Sequence, residues 1–327
     1  MKKMNVVNTP YDDVFRTMLN DCSSLIIPVI NEIFDEHYCG DERIVFSPEI
    51  HFVNQQDGEE TKRITDSSFM IVGEKETKFL LECQSTADSS MLVRVFEYAA
   101  QIALDQGELE NHILRVEIPR SAILFLRSNR ETPDKMKIEM KTPGGVNTFD
   151  VPVMKVQRYS IDEIFEKRLL FLIPFYIFTH ESRFKEYNLY GDKLEKLKAE
   201  YIEIIKRLDS LLEDGSIRAY TRKTIVEMSG KVVDNLAQKY EYVREGVKSV
   251  MGGKVLEYEA KQILNEGKKE GRIEGKKEGR IEGKKEGRIE QAKETAQVLK
   301  RMGMGEESIA KAVNVSVGVL KEWFDAN

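Results

Sequence analysis

The segment that most constrains the fold is Ser121–Arg127, with the sequence SAILFLR. Its apolar side chains follow one another with almost no polar interruption, and polar residues bound the run on both sides. That pattern is typical of a strand buried on both faces. Such a strand needs cover on each face of its sheet. The order of predicted elements around it, helix, three strands, helix and strand, predicts an α/β fold with helices packed on a mixed sheet.

The neighbouring segments fit a sheet of this kind. Three runs before it are short and rich in β-branched and aromatic residues, which favours strands at 44–53, 63–72 and 78–85. The last two are predicted to form a hairpin through GEKET. Apolar periodicity predicts helices at Asp12–Phe34, broken or kinked at Pro28, and at Met91–Leu104. Two more strands are predicted around the turn TPGG, at Met136–Met140 and Phe149–Val156.

Size and charge set outer limits on function. A chain of 327 residues is long enough for two or three compact units. The net charge of −6 excludes a protein that coats nucleic acid with a uniformly basic surface. It does not exclude a nuclease, because bound divalent cations let an acidic protein hold phosphate.

Cysteine usage and apolar runs predict the cellular compartment of the protein. The three cysteines have no framework spacing, and the N-terminal lysines precede no apolar run, so we expect reduced thiols and no signal peptide. The longest apolar run, Leu169–Phe178, is interrupted by Pro174 and is too short to span a bilayer. We therefore expect a cytoplasmic protein without membrane contact, in which this run is a core segment.

Polar residues on the predicted hairpin form the candidate site. Asp66 lies in TDSSF on one strand, and Glu82 and Gln84 lie in LLECQS on the other. Side chains alternate along a strand, so Glu82 and Gln84 should share a face. Two carboxylates on one face repel each other unless a cation lies between them, and their oxygens suit Mg²⁺ or Mn²⁺. The alternative is a turn or cap role for Asp66 and a solvated sheet face for the other two residues.

These residues belong to an ordered set of motifs. DDVFRTML holds Asp12, Phe15 and Arg16, and KRITDSSFMI holds Lys62 and Asp66. LLECQS follows, then MLVRVFEYAAQIA with Arg94 and Tyr98, and LIPFYIF with Pro174 and Phe175. The set resembles the PD-(D/E)XK nuclease superfamily and, within it, the recombination-promoting nuclease and transposase-like family, which has an Asp-x-x-Phe-Lys helix and a Glu-x-Gln strand. The resemblance covers residues 10–180 and the glycine-rich tail.

The resemblance implies a restriction-endonuclease-like fold in which Asp66 and Glu82 ligate Mg²⁺ or Mn²⁺. The implied activity is endonucleolytic hydrolysis of DNA phosphodiester bonds, in recombination, mobile-element activity or phage defence. Many superfamily members have Lys where this chain has Gln84, although Gln is common in the family. An amide can still orient the attacking water. The alternative is a catalytically silent DNA-binding or assembly protein, and an RNA substrate remains open.

Four further residues are candidate accessory groups, each with a structural alternative. Lys62 and Arg94 would supply positive charge near phosphate, or else are solvated surface cations. Asp12 would be an additional acid near the metal, but the sequence favours a role as the N-cap of the first helix. Tyr98 would contact the site, although a tyrosine four residues after Arg94 on an amphipathic helix is more often a packing residue.

The remainder of the chain is predicted to be helical. The predicted divisions are a nuclease-like domain at 1–190, a helical region at 191–266, a spacer at 267–290 and a helix-turn-helix-like module at 291–327. The spacer is three copies of GKKEGRIE, in which each interior glycine costs a helix about 1 kcal/mol, so we expect only partial helicity.

The final module is predicted to contain helices at Glu306–Val313 and Ser316–Phe324, with Ser316 as an N-cap. If the module binds DNA, its second helix would enter the major groove. The alternative is a dimerisation or docking unit, and we expect a homo-oligomer formed through this C-terminal tail.

Overall fold

The computed structural model describes residues 10–46, 50–54, 61–65, 68–85, 91–251, 290–313 and 315–325. For residues 50–54, 61–65, 317, 321, 322 and 325 it describes the backbone alone. The chain divides into two compact units, Met1–Val255 and Leu256–Asn327. Asp66 and residues 267–289 of the repeat segment lie outside the described residues.

The first unit is a mixture of strands and helices. Its strands are β1 (Arg43–Phe46), β2 (Ile50–Asn54), β3 (Thr61–Thr65), β4 (Ser68–Val72), β5 (Glu76–Gln84), β6 (Glu108–Glu110), β7 (Ile113–Arg115), β8 (Arg120–Phe125), β9 (Lys135–Thr142) and β10 (Gly145–Lys155). Its helices are α1 (Pro10–Asp21), α2 (Ile26–Phe34), α3 (Met91–Asp105), α4 (Ile161–Glu166), α5 (Phe184–Leu189), α6 (Gly191–Glu213), α7 (Ala219–Leu236) and α8 (Glu241–Met251), with a 3₁₀ helix at Leu170–Arg183.

Six strands form one mixed sheet in the order β1-β4-β5-β8-β10-β9. The three central strands β5, β8 and β10 are parallel, and the outer strands run antiparallel to their neighbours. Helices flank this sheet, so the predicted α/β class is confirmed. The predicted hairpin is also present, because β4 and β5 are antiparallel and the ladder between them pairs Ser68 with Leu80.

Strand β8 is buried on both faces, as its sequence predicts. Ala122 and Leu124 pack into the cluster that includes α1 and α2, whereas Ile123 and Phe125 pack under α3. All four side chains are fully buried. Burial of a large apolar side chain contributes about 1.5–3 kcal/mol, so this strand stabilises both layers.

The larger core lies on the α1 and α2 side of the sheet. The 3₁₀ helix fills its centre with Phe171, Phe175 and Phe178, which confirms that the apolar run around Pro174 is a core segment. Helices α6, α7 and α8 add Tyr201, Val232 and other side chains to the same cluster. Residues 191–251 therefore share one core with the sheet.

Three segments differ from their predicted outlines. The first helix is interrupted by a 3₁₀ turn at Ser23–Leu25, and Pro28 lies in the first turn of α2. The predicted break or kink near Pro28 is therefore present, and it lies just before the proline, because Pro28 cannot donate to the carbonyl of Ser24 and is tolerated only in the first turn of a helix. The predicted strands at 44–53 and 63–72 are each divided, and β2 pairs with β3 in a separate two-stranded ladder.

The second unit is a bundle of short helices. They are α9 (residues 290–301), α10 (Glu306–Ala312) and α11 (Val317–Asp325). Ala296, Ile309, Ala310 and Leu320 form its core. The backbone N–H of Val319 donates to the hydroxyl of Ser316 at 3.3 Å, which confirms Ser316 as an N-cap. Among the described helices of the chain, none combines the length and the apolar composition that a bilayer-spanning segment needs.

Candidate active site

Glu82 and Gln84 lie on one face of β5, close to its carboxyl end. Leu80, which precedes them on that face, packs under α3, whereas Cys83 packs on the opposite side of the sheet. The ladder with β8 sets Glu82 beside Ile123 and Gln84 beside Phe125, two residues of the cluster under α3. Ligands of open α/β sheets bind at the carboxyl ends of the parallel strands, and these two polar side chains are at that edge.

A second carboxylate lies near this strand. Burial raises the pKa of the Cys83 thiol well above its ordinary value, and the negative charges of Asp12 and Glu82 raise the pKa further. Both carboxylates are therefore close enough to Cys83 to oppose its thiolate. Asp12 belongs to α1, which packs against β5. The structure thus places two acids that are far apart in the sequence near the same thiol, one from α1 and one from β5.

Asp12 is not the N-cap of its helix. Helix α1 begins at Pro10, so Asp12 lies inside its first turn, and the N-cap interpretation is wrong. Proline is common at the first helical position, because its fixed φ and missing N–H cost nothing there. A carboxylate in the first turn also interacts favourably with the helix dipole. This placement leaves Asp12 at the edge of the sheet where β5 ends.

Helix α3 covers the face that carries Glu82 and Gln84. Met91 and Tyr98 are buried against the sheet, and Arg94 lies on the same side of the helix because it is three residues from one and four from the other. The Nη2 atom of Arg94 lies 3.7 Å from the sulfur of Met91. Its Nε atom is buried and has no hydrogen-bond partner among the described residues. A buried guanidinium nitrogen without a partner is costly, and a hydrogen bond to an anion would remove that cost.

Arg127 was not predicted as part of the site, yet it holds the end of β5. Its Nε and Nη2 donate to the two carboxylate oxygens of Glu181 at 2.5 and 2.8 Å. Its Nη1 donates to the carbonyl of Ser85 at 3.1 Å, directly after Gln84. The guanidinium also lies 4.9 Å from the ring centre of Phe178. Arg127 therefore fixes the backbone from which Gln84 projects.

Two more side chains complete the same edge. Tyr11 packs edge-on against Phe178, with the ring centres 5.0 Å apart, and burial raises the pKa of its hydroxyl. Gln157 accepts from the backbone N–H of Ser128 and donates to the carbonyl of Phe178, both at 2.7 Å. Nothing local in the sequence indicates these roles, because each joins segments that are distant along the chain.

Within the described residues, the side chains at this edge provide only part of a binding site for a hard cation. Glu82, Asp12 and Gln84 supply carboxylate and amide oxygens, which Mg²⁺ and Mn²⁺ prefer. Within the described ranges, however, His, Cys, Asp and Glu side chains form no metal-holding group of three or more. Asp66, the other predicted ligand, lies outside those ranges. Lys62 lies in β3, where only its backbone is described.

The burial of Cys83 gives a direct test of the geometry. Thiolates react with disulfide reagents and thiols do not. Burial raises the pKa of Cys22 to about 11 and raises that of Cys83 well above its ordinary value, whereas Cys39 is exposed. We expect one fast-reacting thiol per native chain with Ellman's reagent at about pH 8. The Cys39→Ser variant should have none, and a second fast thiol in that variant would contradict the burial of Cys83.

Comparisons of the chain with models of protein families, with curated proteins and with solved structures gave no match.

Proposed function

We propose that the chain is a Mg²⁺- or Mn²⁺-dependent endonuclease that hydrolyses DNA phosphodiester bonds. Asp66 and Glu82 are its metal ligands, and Gln84 orients the attacking water. One observation carries the proposal: Glu82 and Gln84 share the face of β5 under α3, where the buried Nε of Arg94 has no hydrogen-bond partner among the described residues. Carboxylates, an amide and a guanidinium together suit a phosphate diester held through a cation.

The proposal requires Asp66 to lie opposite Glu82. The ladder between β4 and β5 pairs Ser68 with Leu80. Asp66 precedes Ser68 by two residues and Glu82 follows Leu80 by two, so an unbroken antiparallel ladder would make them partners. A ladder continued in this register would set the two carboxylates side by side, as the motif order predicts.

Each of these side chains has its own role in the proposed hydrolysis. A divalent cation bound there would polarise the phosphate and lower the pKa of a bound water. The amide of Gln84 accepts a hydrogen bond from the attacking water and so orients it. The guanidinium of Arg94 pairs with the negative charge of the phosphate. Asp12 is an additional acid, and Tyr98 packs between α3 and the sheet.

The same proposal includes a restriction-endonuclease-like fold, a cytoplasmic location and a biological role. Three parallel central strands with an antiparallel β4–β5 hairpin support a restriction-endonuclease-like sheet. The three free cysteines support a cytoplasmic location. A role in recombination, mobile-element activity or phage defence rests on the motif resemblance alone. We also propose that α11 contacts DNA and that the chain forms an oligomer through its C-terminal tail.

A second candidate is a catalytically silent DNA-binding or assembly protein on the same fold. Gln84 in place of the more usual lysine favours it, since an amide brings no positive charge to the phosphate. The discriminating experiment is cleavage of supercoiled plasmid by the wild type with and without Mg²⁺ or Mn²⁺, and by Asp66→Ala. Nicking that needs both metal and Asp66 supports the nuclease. The absence of cleavage of both DNA and RNA by the folded chain would favour the silent protein.

Metal binding should also be visible without any substrate. A ligand that binds only the folded state stabilises it by about 2.7 kcal/mol at a concentration 100 times its Kd, which shifts Tm by roughly 5 °C for a unit of this size. We expect Mn²⁺ to raise the Tm of the wild type by that amount and to leave Asp66→Asn and Glu82→Gln unshifted. Glu76→Gln, an exposed change on the same strand, should behave as the wild type. An equal shift in all four proteins would place the cation elsewhere.

A further inference from the structure

The second unit carries a groove between α9 and the C-terminal end of α11. Its volume is about 480 Å³, within the range of ligand sites in proteins. One amide, two cations and two aromatic rings line it: Gln297, Lys300, Arg301, Trp323 and Phe324. These described lining residues combine positive charge with flat apolar surface, and none of them is acidic.

The two aromatic rings of the groove are anchored by the core of the unit. Trp323 and Phe324 lie in the last turn of α11, where both are partly buried. They pack against the cluster that includes Ile309 and Leu320. The rings are therefore held at the groove before a ligand arrives, and little side-chain freedom is lost when a flat group stacks on them.

Lysine side chains from α9 lie over both rings. Lys293 and Lys300 are two helical turns apart and so share a face of α9, which Arg301 borders. The Nζ atom of Lys293 is 5.7 Å from the ring centre of Trp323, and the Nζ atom of Lys300 is 3.7 Å from the ring centre of Phe324. None of the three cations forms an ion pair with another described side chain, so each can pair with a bound anion.

The end of α9 is positively charged. Between residues 295 and 305 the only charged side chains are those of Lys300 and Arg301. The acids of this helix, Glu290 and Glu294, belong to its first half and do not line the groove. A negatively charged ligand is therefore attracted to the part of α9 that faces the rings.

We infer that the groove binds single-stranded nucleic acid. Its unpaired bases stack on Trp323 and Phe324, and its phosphates pair with the cations of α9. Proteins that bind single strands without sequence preference combine stacking aromatic side chains with a cationic track for the backbone. In a duplex the bases stack on one another and present only their edges, so a duplex offers these rings no partner.

The lysines over the rings do not prevent stacking. The ammonium group of Lys300 is carried on a flexible stem of four carbons. A base can take its place over the ring of Phe324 while the ammonium moves to the neighbouring phosphate. The inference deepens the proposed contact of α11 with DNA and rests on it, but it requires no cleavage.

The fluorescence of Trp323 tests the inference in the full-length chain, because this is its only tryptophan. EDTA keeps the strand intact, and an oligothymidine of about 20 nucleotides is longer than the site of most such modules. We expect strong, saturable quenching. Raising the salt concentration from roughly 50 to 200 mM should weaken binding about 20-fold, the slope for three paired phosphates on a single strand. A wild type that is not quenched at low salt would overturn the inference.

Substitutions in the groove separate the roles of charge and ring. Lys300→Gln/Arg301→Gln should bind at least about tenfold more weakly at low salt. Lys311→Gln is the matched control, because this exposed cation of α10 does not line the groove, and its affinity should stay within about twofold of the wild type. Phe324→Leu keeps an apolar side chain without the ring and should bind at least about fivefold more weakly. Wild-type affinity in either groove variant would contradict the inference.

Two other ligands distinguish the possible failures. A duplex that quenches Trp323 as tightly as the single strand would leave the contact of α11 with DNA standing and overturn the preference for unpaired bases. An oligoglutamate that binds equally well would show that charge alone is recognised, which also overturns the inference. A chain that binds the single strand but cuts no plasmid would contradict the nuclease and leave the groove intact.

Discussion

Replacing Glu82 with glutamine should lower the rate of metal-dependent plasmid nicking by about 100-fold or more. The substitution keeps the size of the side chain and removes its negative charge. A carboxylate that holds a cation cannot be replaced by a neutral amide without loss of affinity for the metal, and the metal supplies several kcal/mol of transition-state stabilisation. The initial nicking rate at saturating Mg²⁺ and Mn²⁺ measures the effect.

The control lies on the same strand. Glu76→Gln makes the identical chemical change at the other, exposed end of β5 and should leave the nicking rate within about twofold of the wild type. Circular dichroism should show both variants folded. If Glu82→Gln cuts plasmid at the wild-type rate with the same metal dependence, Glu82 is not a metal ligand and the site lies elsewhere.

Replacing Arg127 with alanine should lower the free energy of unfolding by about 2–4 kcal/mol. The change removes both hydrogen bonds to Glu181, the hydrogen bond to the Ser85 carbonyl and the contact with Phe178. It also leaves a partly buried carboxylate without its partner, which is costlier than losing the ion pair as a whole. Urea denaturation followed by circular dichroism measures the loss.

An exposed ion pair provides the comparison. Lys135 and Asp150 lie 2.9 Å apart on the surface, and Lys135→Ala should cost less than about 1 kcal/mol. The double variant Arg127→Ala/Glu181→Ala should recover part of the loss, because neither charge is then left alone. Equal losses for the Arg127 and Lys135 variants would show that Arg127 does not hold this edge of the sheet.

Arg127→Ala should also reduce nicking at temperatures where the protein is fully folded. Arg127 binds the carbonyl next to Gln84, so its loss frees the end of β5 that the proposed mechanism needs in place. Arg127→Lys keeps the charge but cannot form the bidentate pair, and should fall between the wild type and the alanine variant in stability.

The sequence by itself determined the features that depend on local periodicity. The run Ser121–Arg127 indicated a strand buried on both faces, and the alternation in LLECQS indicated that Glu82 and Gln84 share a face. The β4–β5 hairpin and the N-cap at Ser316 were equally readable, because turns and caps involve residues only a few positions apart. In each case the information lies within one strand or one helical turn.

Only the tertiary structure decided which distant side chains meet at the carboxyl end of β5. Asp12 reaches Cys83 through the packing of α1, and Arg127 reaches Glu181 across 54 residues of sequence. The exposure of Leu109 and Leu114 on the β6–β7 hairpin could not be predicted from the sequence either, since the same residues would be buried if the hairpin packed on the core. Side-chain periodicity specifies which face of an element is apolar, but the partner of that face depends on how all the elements pack together.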